Sequence, residues 1–387
     1  MKYLLLIITI YSSLQLQACS SFKENLSPVK EKTPVLARGW SFIENSGEKE
    51  LDAGVQPLTY ANPVIEGDKI IFGSERFGLR VLHKDTGQVL WKKNIPDGIN
   101  SQPLIAQNRV YVGSEDGVLR CVDLQSGNEL WQKNLGMSIH GAPILASDRL
   151  VVGTIDENIH AIDPTSGKIL WTYKRPLTTG TSIRGGGNPS YINGSIWVGF
   201  SDGSLVVLEI NDGSVKEEKQ FRDNVKFPDI NAKVIAWKEG VLVPTYDGKL
   251  RYLKKDLSLI WEFPAGGARA VLPSTINGNL LFFPSSEGTV YAIAGDTGKE
   301  VWRFSMPYGS PTGIALMGNG ETSTATLVVA SSEHKIFALD AYTGKELGKS
   351  SLGRGSGSFS SLAIDQEKKN VYVLSLFSRL HQFKVTR

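Results

Sequence analysis

The chain has 387 residues, of which 41% are hydrophobic and 21% charged, the make-up of a folded globular protein with ample material for a core. A net charge of +3, spread over lysines and arginines that form no basic run interleaved with aromatics, excludes a nucleic-acid-binding class. Two cysteines exclude a disulfide framework, and 40 glycines imply many tight turns.

The chain opens on Met1-Lys2, and residues 3–14 form an apolar stretch of signal-peptide length, too short to span a bilayer. Leu16-Gln17-Ala18-Cys19 follows and resembles the bacterial lipobox, in which a leucine and a small residue precede a lipid-bearing cysteine. The resemblance implies that residues 1–18 are a signal peptide and that the Cys19 thiol carries diacylglycerol at the mature N-terminus. Ser20 stands where an aspartate would mark retention in the inner membrane, so the expected location is the periplasmic face of the outer membrane. Acyl chains contribute about 0.8 kcal/mol per buried CH₂, and more than one makes a durable anchor. Residues 19–33 are polar, with Lys, Glu, Ser and Pro, and read as a flexible tether ahead of a folded domain at 34–387.

From about Asn62 onward the chain repeats itself. Trp91, Trp131 and Trp171 are evenly spaced, and Trp261 and Trp302 continue the series. A turn of one type precedes each, as in Asp85-Thr86-Gly87, Gln125-Ser126-Gly127, Thr165-Ser166-Gly167 and Asp296-Thr297-Gly298. Two copies lack the tryptophan, at Asn211-Asp212-Gly213-Ser214-Val215 and Tyr342-Thr343-Gly344-Lys345-Glu346-Leu347. Each unit contains four short apolar or alternating runs separated by turns: residues 142–146, 150–154, 159–162 and 168–173 in one of them. A period near forty with four strands is the signature of a propeller blade. No blade buries both faces of its sheet alone, so blades must stack, with the tryptophan as a wedge between them.

Seven units end near Trp91, Trp131, Trp171, Val215, Trp261, Trp302 and Leu347. After Leu347 only three strands remain, at residues 361–364, 371–376 and 380–385, while residues 35–42 read as an outer strand with its own Trp40. The expected fold is therefore all-β: an eight-bladed β-propeller of four-stranded antiparallel blades, closed by the N-terminal strand joining the C-terminal blade. Closure removes the sticky edge that an incomplete ring would expose.

The Tyr-Ala-x-Asp-x-x-Thr-Gly-Lys-x-x-Trp units resemble the repeats of pyrroloquinoline quinone (PQQ) enzymes, with close copies at residues 290–293 and 336–345. A narrower resemblance, carried by the lipobox, tether and eight blades, is to the BamB family, lipoprotein subunits of the outer-membrane β-barrel assembly machinery. Residues 181–189, Thr-Ser-Ile-Arg-Gly-Gly-Gly-Asn-Pro, and 227–231, Phe-Pro-Asp-Ile-Asn, are similar to two loops with which that family docks on the periplasmic domains of the barrel-forming subunit, BamA. The resemblance implies partner contacts at Ile183, Arg184, Asp229 and Asn231, and a non-catalytic scaffold role that extends to unfolded outer-membrane proteins. Independently, both loops join successive blades, so they share one face, and both exceed the usual connection length. An arginine near an aspartate there either forms a local surface pair worth about 0–1 kcal/mol or makes charge-assisted hydrogen bonds to a partner.

Catalytic patterns are missing. Gly185-Gly186-Gly187 has no Gly-Lys-Ser/Thr ending, and no Gly-x-Ser-x-Gly elbow occurs. His83, His140, His160, His334 and His381 fall in different repeats without metal-ligand spacing, and His83 and His160 fall in third strands as structural imidazoles. The acidic-glycine pairs Asp116-Gly117, Asp202-Gly203, Asp247-Gly248 and Glu287-Gly288 read as hairpin turns rather than calcium loops. Cys121, in an apolar strand, reads as a buried structural thiol. No cofactor or metal is expected; the competing reading is a PQQ-dependent oxidoreductase or a ligand-binding propeller lipoprotein.

Overall fold

The computed structural model describes residues 35–44, 61–95, 97–175, 187–221, 228–230, 232–267, 270–274, 279–318, 324–353 and 356–387. They form eight four-stranded antiparallel sheets. In the third, Ile144–Ala146 is innermost, followed by Arg149–Gly153, Ile159–Ile162 and the outermost Ile169–Tyr173. The second and third strands of each blade have neighbours on both faces, which is why they read as continuous apolar runs such as Leu280–Pro284 and Thr326–Ser331, buried at every position. The outermost strands face solvent on one side and alternate, as Glu129–Asn134 does.

The expected wedge is present at six of the eight seams between blades. The indole of each outer-strand tryptophan lies on the turn glycine of the next blade: Trp40 on Gly87, Trp91 on Gly127, Trp131 on Gly167, Trp171 on Gly213, Trp261 on Gly298 and Trp302 on Gly344. A Cβ at Gly213 would stand 2.5 Å from Trp171 Cε3, and the residue's φ of +74° disfavours any side chain. Each indole N–H also donates to a main-chain carbonyl of that turn, from Trp40 to Lys84 (3.0 Å), Trp91 to Leu124 (2.9 Å), Trp131 to Pro164 (3.1 Å), Trp171 to Ile210 (2.9 Å), Trp261 to Gly295 (2.7 Å) and Trp302 to Ala341 (3.1 Å). The ring thus covers apolar surface while its one polar atom is satisfied.

The eighth blade is assembled from both ends of the chain, as expected: Ala363–Asp365, Asn370–Ser375 and Arg379–Val385 are completed by Leu36–Phe42, which pairs antiparallel from Leu36 opposite Val385 to Phe42 opposite Leu380. The seam to the first blade is densely bonded. Lys84 Nζ meets Asp365 at 2.6 Å, Lys368 Nζ meets Asp85 at 2.6 Å, and the Ser361 amide donates to Asn62 Oδ1 at 2.6 Å. Buried Arg80 donates to both carboxylate oxygens of Glu44, at 2.6 and 2.8 Å, in the segment just after the N-terminal strand. His83 and His160 lie on third strands, as expected. Cys121 is fully buried, and burial pushes its thiol up to about 11, the setting of an inert structural thiol.

His381 sits inside the closure. Arg38 Nη2 can only donate, so His381 Nδ1 accepts from it at 3.2 Å, which places the ring proton on Nε2, 3.0 Å from Ser375 Oγ. Ser41 Oγ lies 2.9 Å from the same Nδ1. Burial, then the charges of Arg38 and Arg379, lower the imidazole to about 4.

Two outcomes are expected. Trp171→Ala and Gly213→Val each break one seam from opposite sides, and each should lower unfolding free energy by about 3–5 kcal/mol, with the double variant well short of the sum; denaturant titration checks this. His381 is neutral when folded and free to protonate near 6.5 when unfolded, so its contribution is complete above about pH 6.5 and is lost as pH falls towards 4. The wild type should lose up to about 3 kcal/mol over that window, and His381→Gln should show a flatter melting-temperature profile.

Candidate functional site: the connector face

Strand direction alternates within a blade, so the connectors between blades and the turns between second and third strands share one face of the ring. On that face several described connectors tie two blades together. The Ile99 amide donates back to Ser74 of the first blade (3.0 Å) while the Gly98 carbonyl accepts from Glu115 of the second (3.3 Å). Ile139 and Ser138 repeat this between blades two and three, and Ser358 and Gly357 between blades seven and eight. Between blades four and five the same roles fall to Ile230, whose amide donates to the Phe200 carbonyl (3.0 Å), and Asp229, whose carbonyl accepts from Tyr246 (2.8 Å). Gly199 is required beneath this link, because a Cβ there would collide with the Ile230 side chain.

The three longest connectors on this face are residues 43–63, between Leu36–Phe42 and Val64–Glu66, 174–189, between Ile169–Tyr173 and Ser190–Ile192, and 221–234, between Val215–Gln220 and Ile235–Trp237. The last two flank the fourth blade on both sides, as its first and second long connectors. Cys19, Ile183, Arg184 and Asn231 lie outside the described residues. Asp229 is described and is fully buried within the second connector, not on the open surface. The structure therefore brings the second connector's aspartate against the turns at Phe200 and Tyr246, a placement its polar character did not announce.

Sequence reasoning passed over the pair that anchors the first long connector. Arg175 Nη2 lies 2.6 Å from Asp202 Oδ2 and 3.1 Å from Glu218 Oε1, with the guanidinium 4.6 Å from the centre of the Phe200 ring. Desolvation acts against both charges, but the Asp202 hydrogen bond outweighs it and holds Arg175 above its ordinary range, and Arg175 in turn holds Asp202 below the usual carboxylate range. The Asp202-Gly203 turn was the available signal; its partner, 27 positions away, was not. Nearby, Glu157 reaches across the seam to accept from the Ser201 amide at 2.7 Å.

Between blades two and three, Glu115 accepts from Asn100 (2.8 Å) and lies 2.7 Å from His140 Nε2. Burial raises its pKa, but the His140 and Asn100 contacts prevail and the carboxyl stays below its ordinary value. Both carboxylate oxygens are thus engaged within the chain. Among the described residues, no group of three or more His, Cys, Asp or Glu side chains is placed to hold a metal ion.

Arg175 and Asp202 are both nearly buried, so removing Asp202 leaves the Arg175 charge with only the more exposed Glu218 to offset it. Asp202→Ala should destabilise by about 3–5 kcal/mol, and adding Arg175→Met should recover part of that loss in a chemical-denaturation double-mutant cycle.

Comparison with known proteins places this architecture. No curated protein sequence matches the chain. BamB from Moraxella catarrhalis superposes with a TM-score of 0.70 at 16% identity, covering 91% of this chain and 98% of that one. A europium-containing methanol dehydrogenase (TM-score 0.71, 14% identity, 87% of this chain and 84% of that one) and the quinohemoprotein alcohol dehydrogenase of Comamonas testosteroni (TM-score 0.71, 14% identity, 92% and 78%) share the fold as well. Such distant likeness shows the fold alone. The family model described as outer membrane protein assembly factor BamB matches residues 37–136, 75–250 and 224–387, and the chain belongs to that family.

Proposed function

We propose that the protein is a non-catalytic scaffold of the outer-membrane protein assembly complex, held at the periplasmic face of the outer membrane by lipid on Cys19 after removal of residues 1–18. Residues 19–33 serve as the tether and residues 34–387 as the propeller. The connector face around the fourth blade docks on the periplasmic domains of a BamA-like barrel-forming subunit, and the assembly aids the folding and insertion of β-barrel proteins. The observation that carries this reading is the asymmetry of the ring: two of its three longest connectors sit side by side around one blade, in a family described by an assembly factor. Ile183 and Arg184 supply an apolar and a charged contact from the first connector and Asn231 a polar one from the second. Asp229 acts from beneath, shaping the second connector through the clasp to Phe200 and Tyr246. An arginine is suited to such a site because its planar fork pairs with carboxylates and carbonyls in a fixed geometry.

Pull-down from detergent-solubilised envelopes tests the reading. Wild type should recover the barrel-forming subunit. Arg184→Glu should reduce recovery at least tenfold without changing the melting temperature, and Cys19→Ser should shift the protein from the membrane to the soluble fraction. Absence of the barrel-forming subunit from the wild-type eluate, or saturable PQQ binding with dye-linked alcohol oxidation, would replace the scaffold with the oxidoreductase reading.

A further inference from the structure

We propose that the N-terminal strand, Leu36–Phe42, is an acid-released clasp, ejected from the eighth blade on protonation of His381 while the other blades keep their outer strands. In the first seven blades a short turn joins the outermost strand to its neighbour, as residues 84–88 join Gly78–His83 to Val89–Lys93. Such a strand leaves only by opening a hairpin. Leu36–Phe42 is held to Arg379–Val385 from the opposite end of the chain, so among the eight sheets it is the outer strand that can detach whole.

The clasp is held at a few points. Of its seven residues Leu36 alone is buried, and a register shift between Arg38 and Ser41 interrupts its ladder. Trp40 lies on Gly87, and Phe42 meets the edge of Phe72 with ring centres 6.1 Å apart. Just beyond the strand, Glu44 is gripped by Arg80. In blades two and five the corresponding Arg120 and Arg251 pair with an aspartate of their own turn, Asp116 and Asp247. The first blade's turn, Ser74-Glu75-Arg76-Phe77-Gly78, has no aspartate, so Arg80 takes its carboxylate from the N-terminal segment. The remaining anchor is His381, on the third strand of the eighth blade and 1% exposed.

Both partners of His381 Nδ1, Arg38 Nη2 at 3.2 Å and Ser41 Oγ at 2.9 Å, belong to the clasp, whereas Nε2 faces Ser375 Oγ of the neighbouring strand. The neutral ring accepts from Arg38. A protonated Nδ1 points a donor at a group that can only donate, and the bond becomes a repulsion between like charges. Arg379, two residues along the strand, adds a second positive charge, and no carboxylate among the described residues offsets them. Detachment removes Arg38 and opens the Nδ1 side to water, so protonation favours release. His160 is also buried, but its Nδ1 partner is the Thr172 hydroxyl, which donates or accepts, and the Asp156 charge offsets part of its desolvation. Carboxylates elsewhere answer acid later. Burial raises Asp116, but hydrogen bonds from Arg120 and Ser114 outweigh it and bring it down to about 2, and Asp202, Asp247 and Asp365 are held below the usual carboxylate range in the same way. The Lys84–Asp365 pair, which ties the first blade to the inner strand of the eighth without touching the clasp, therefore persists. What opens is one outer strand and not the ring, and it bares the edge of Arg379–Val385. None of this depends on the scaffold reading.

The test is hydrogen–deuterium exchange of the full-length chain in detergent, read by mass spectrometry and corrected for the intrinsic effect of pH on exchange. Between about pH 7.5 and about pH 4.5, protection of Leu36–Phe42 should fall at least tenfold. The outer strands of the second and sixth blades, Glu129–Asn134 and Lys299–Ser305, should keep theirs. His381→Gln, which retains an acceptor for Arg38 and takes up no proton, should keep the clasp protected at both pH values. Glu44→Gln, which weakens the other anchor, should raise the pH at which the clasp leaves. Retained protection of the wild-type clasp at about pH 4.5, equal loss over all three outer strands, or the same loss in His381→Gln would each overturn the assignment.

Discussion

An indole laid flat on a glycine of the neighbouring blade is the contact on which the rest of this molecule depends. A four-stranded blade has two apolar faces and cannot cover either, so the stability of each sheet is borrowed from the next. The tryptophan gives this stacking a register: its ring needs a turn without a side chain, and its N–H needs the carbonyl at the head of that same turn. Repeated around a circle, the contact has a global consequence, because the last blade must present an indole to the first. Trp40 meets that demand on Gly87, which is why the N-terminal strand has to cross the whole sequence to pair with Arg379–Val385.

Symmetry of this kind gives stability but no address. The places where the repeat is broken are the places that distinguish one side of the ring from another, and several of them gather around the fourth blade. Its flanking connectors are two of the three longest, its entry is pinned by Arg175 on Asp202 and Glu218, its exit by the Asp229–Ile230 link, and its outer strand carries glutamate in place of tryptophan. Glu218, on that outer strand, bonds Arg175 at the entry. A polar network around this blade holds the connector face in shape.

The fold places BamB relatives and quinoprotein dehydrogenases on the same scaffold, so architecture alone does not choose between binding and catalysis. What argues chemistry is the polar groups. On the connector face Glu115 has both oxygens bound within the chain, and Arg175 with Asp202 forms a closed pair. These groups hold turns and connectors in place.

The amino-acid sequence by itself determined the number of blades, the position of nearly every strand, the hairpin turns and the two-ended final blade. These follow from local periodicity: alternating or continuous apolar runs, turn residues and a tryptophan recurring at a nearly constant interval. It also located the two long connectors, because their length is a count along the chain. Only the tertiary structure decided which residues meet. The glycine beneath each indole is one repeat away, Arg80 finds Glu44 across a stretch of other sequence, and Asp229, polar and next to a proline, is buried as a link between two turns.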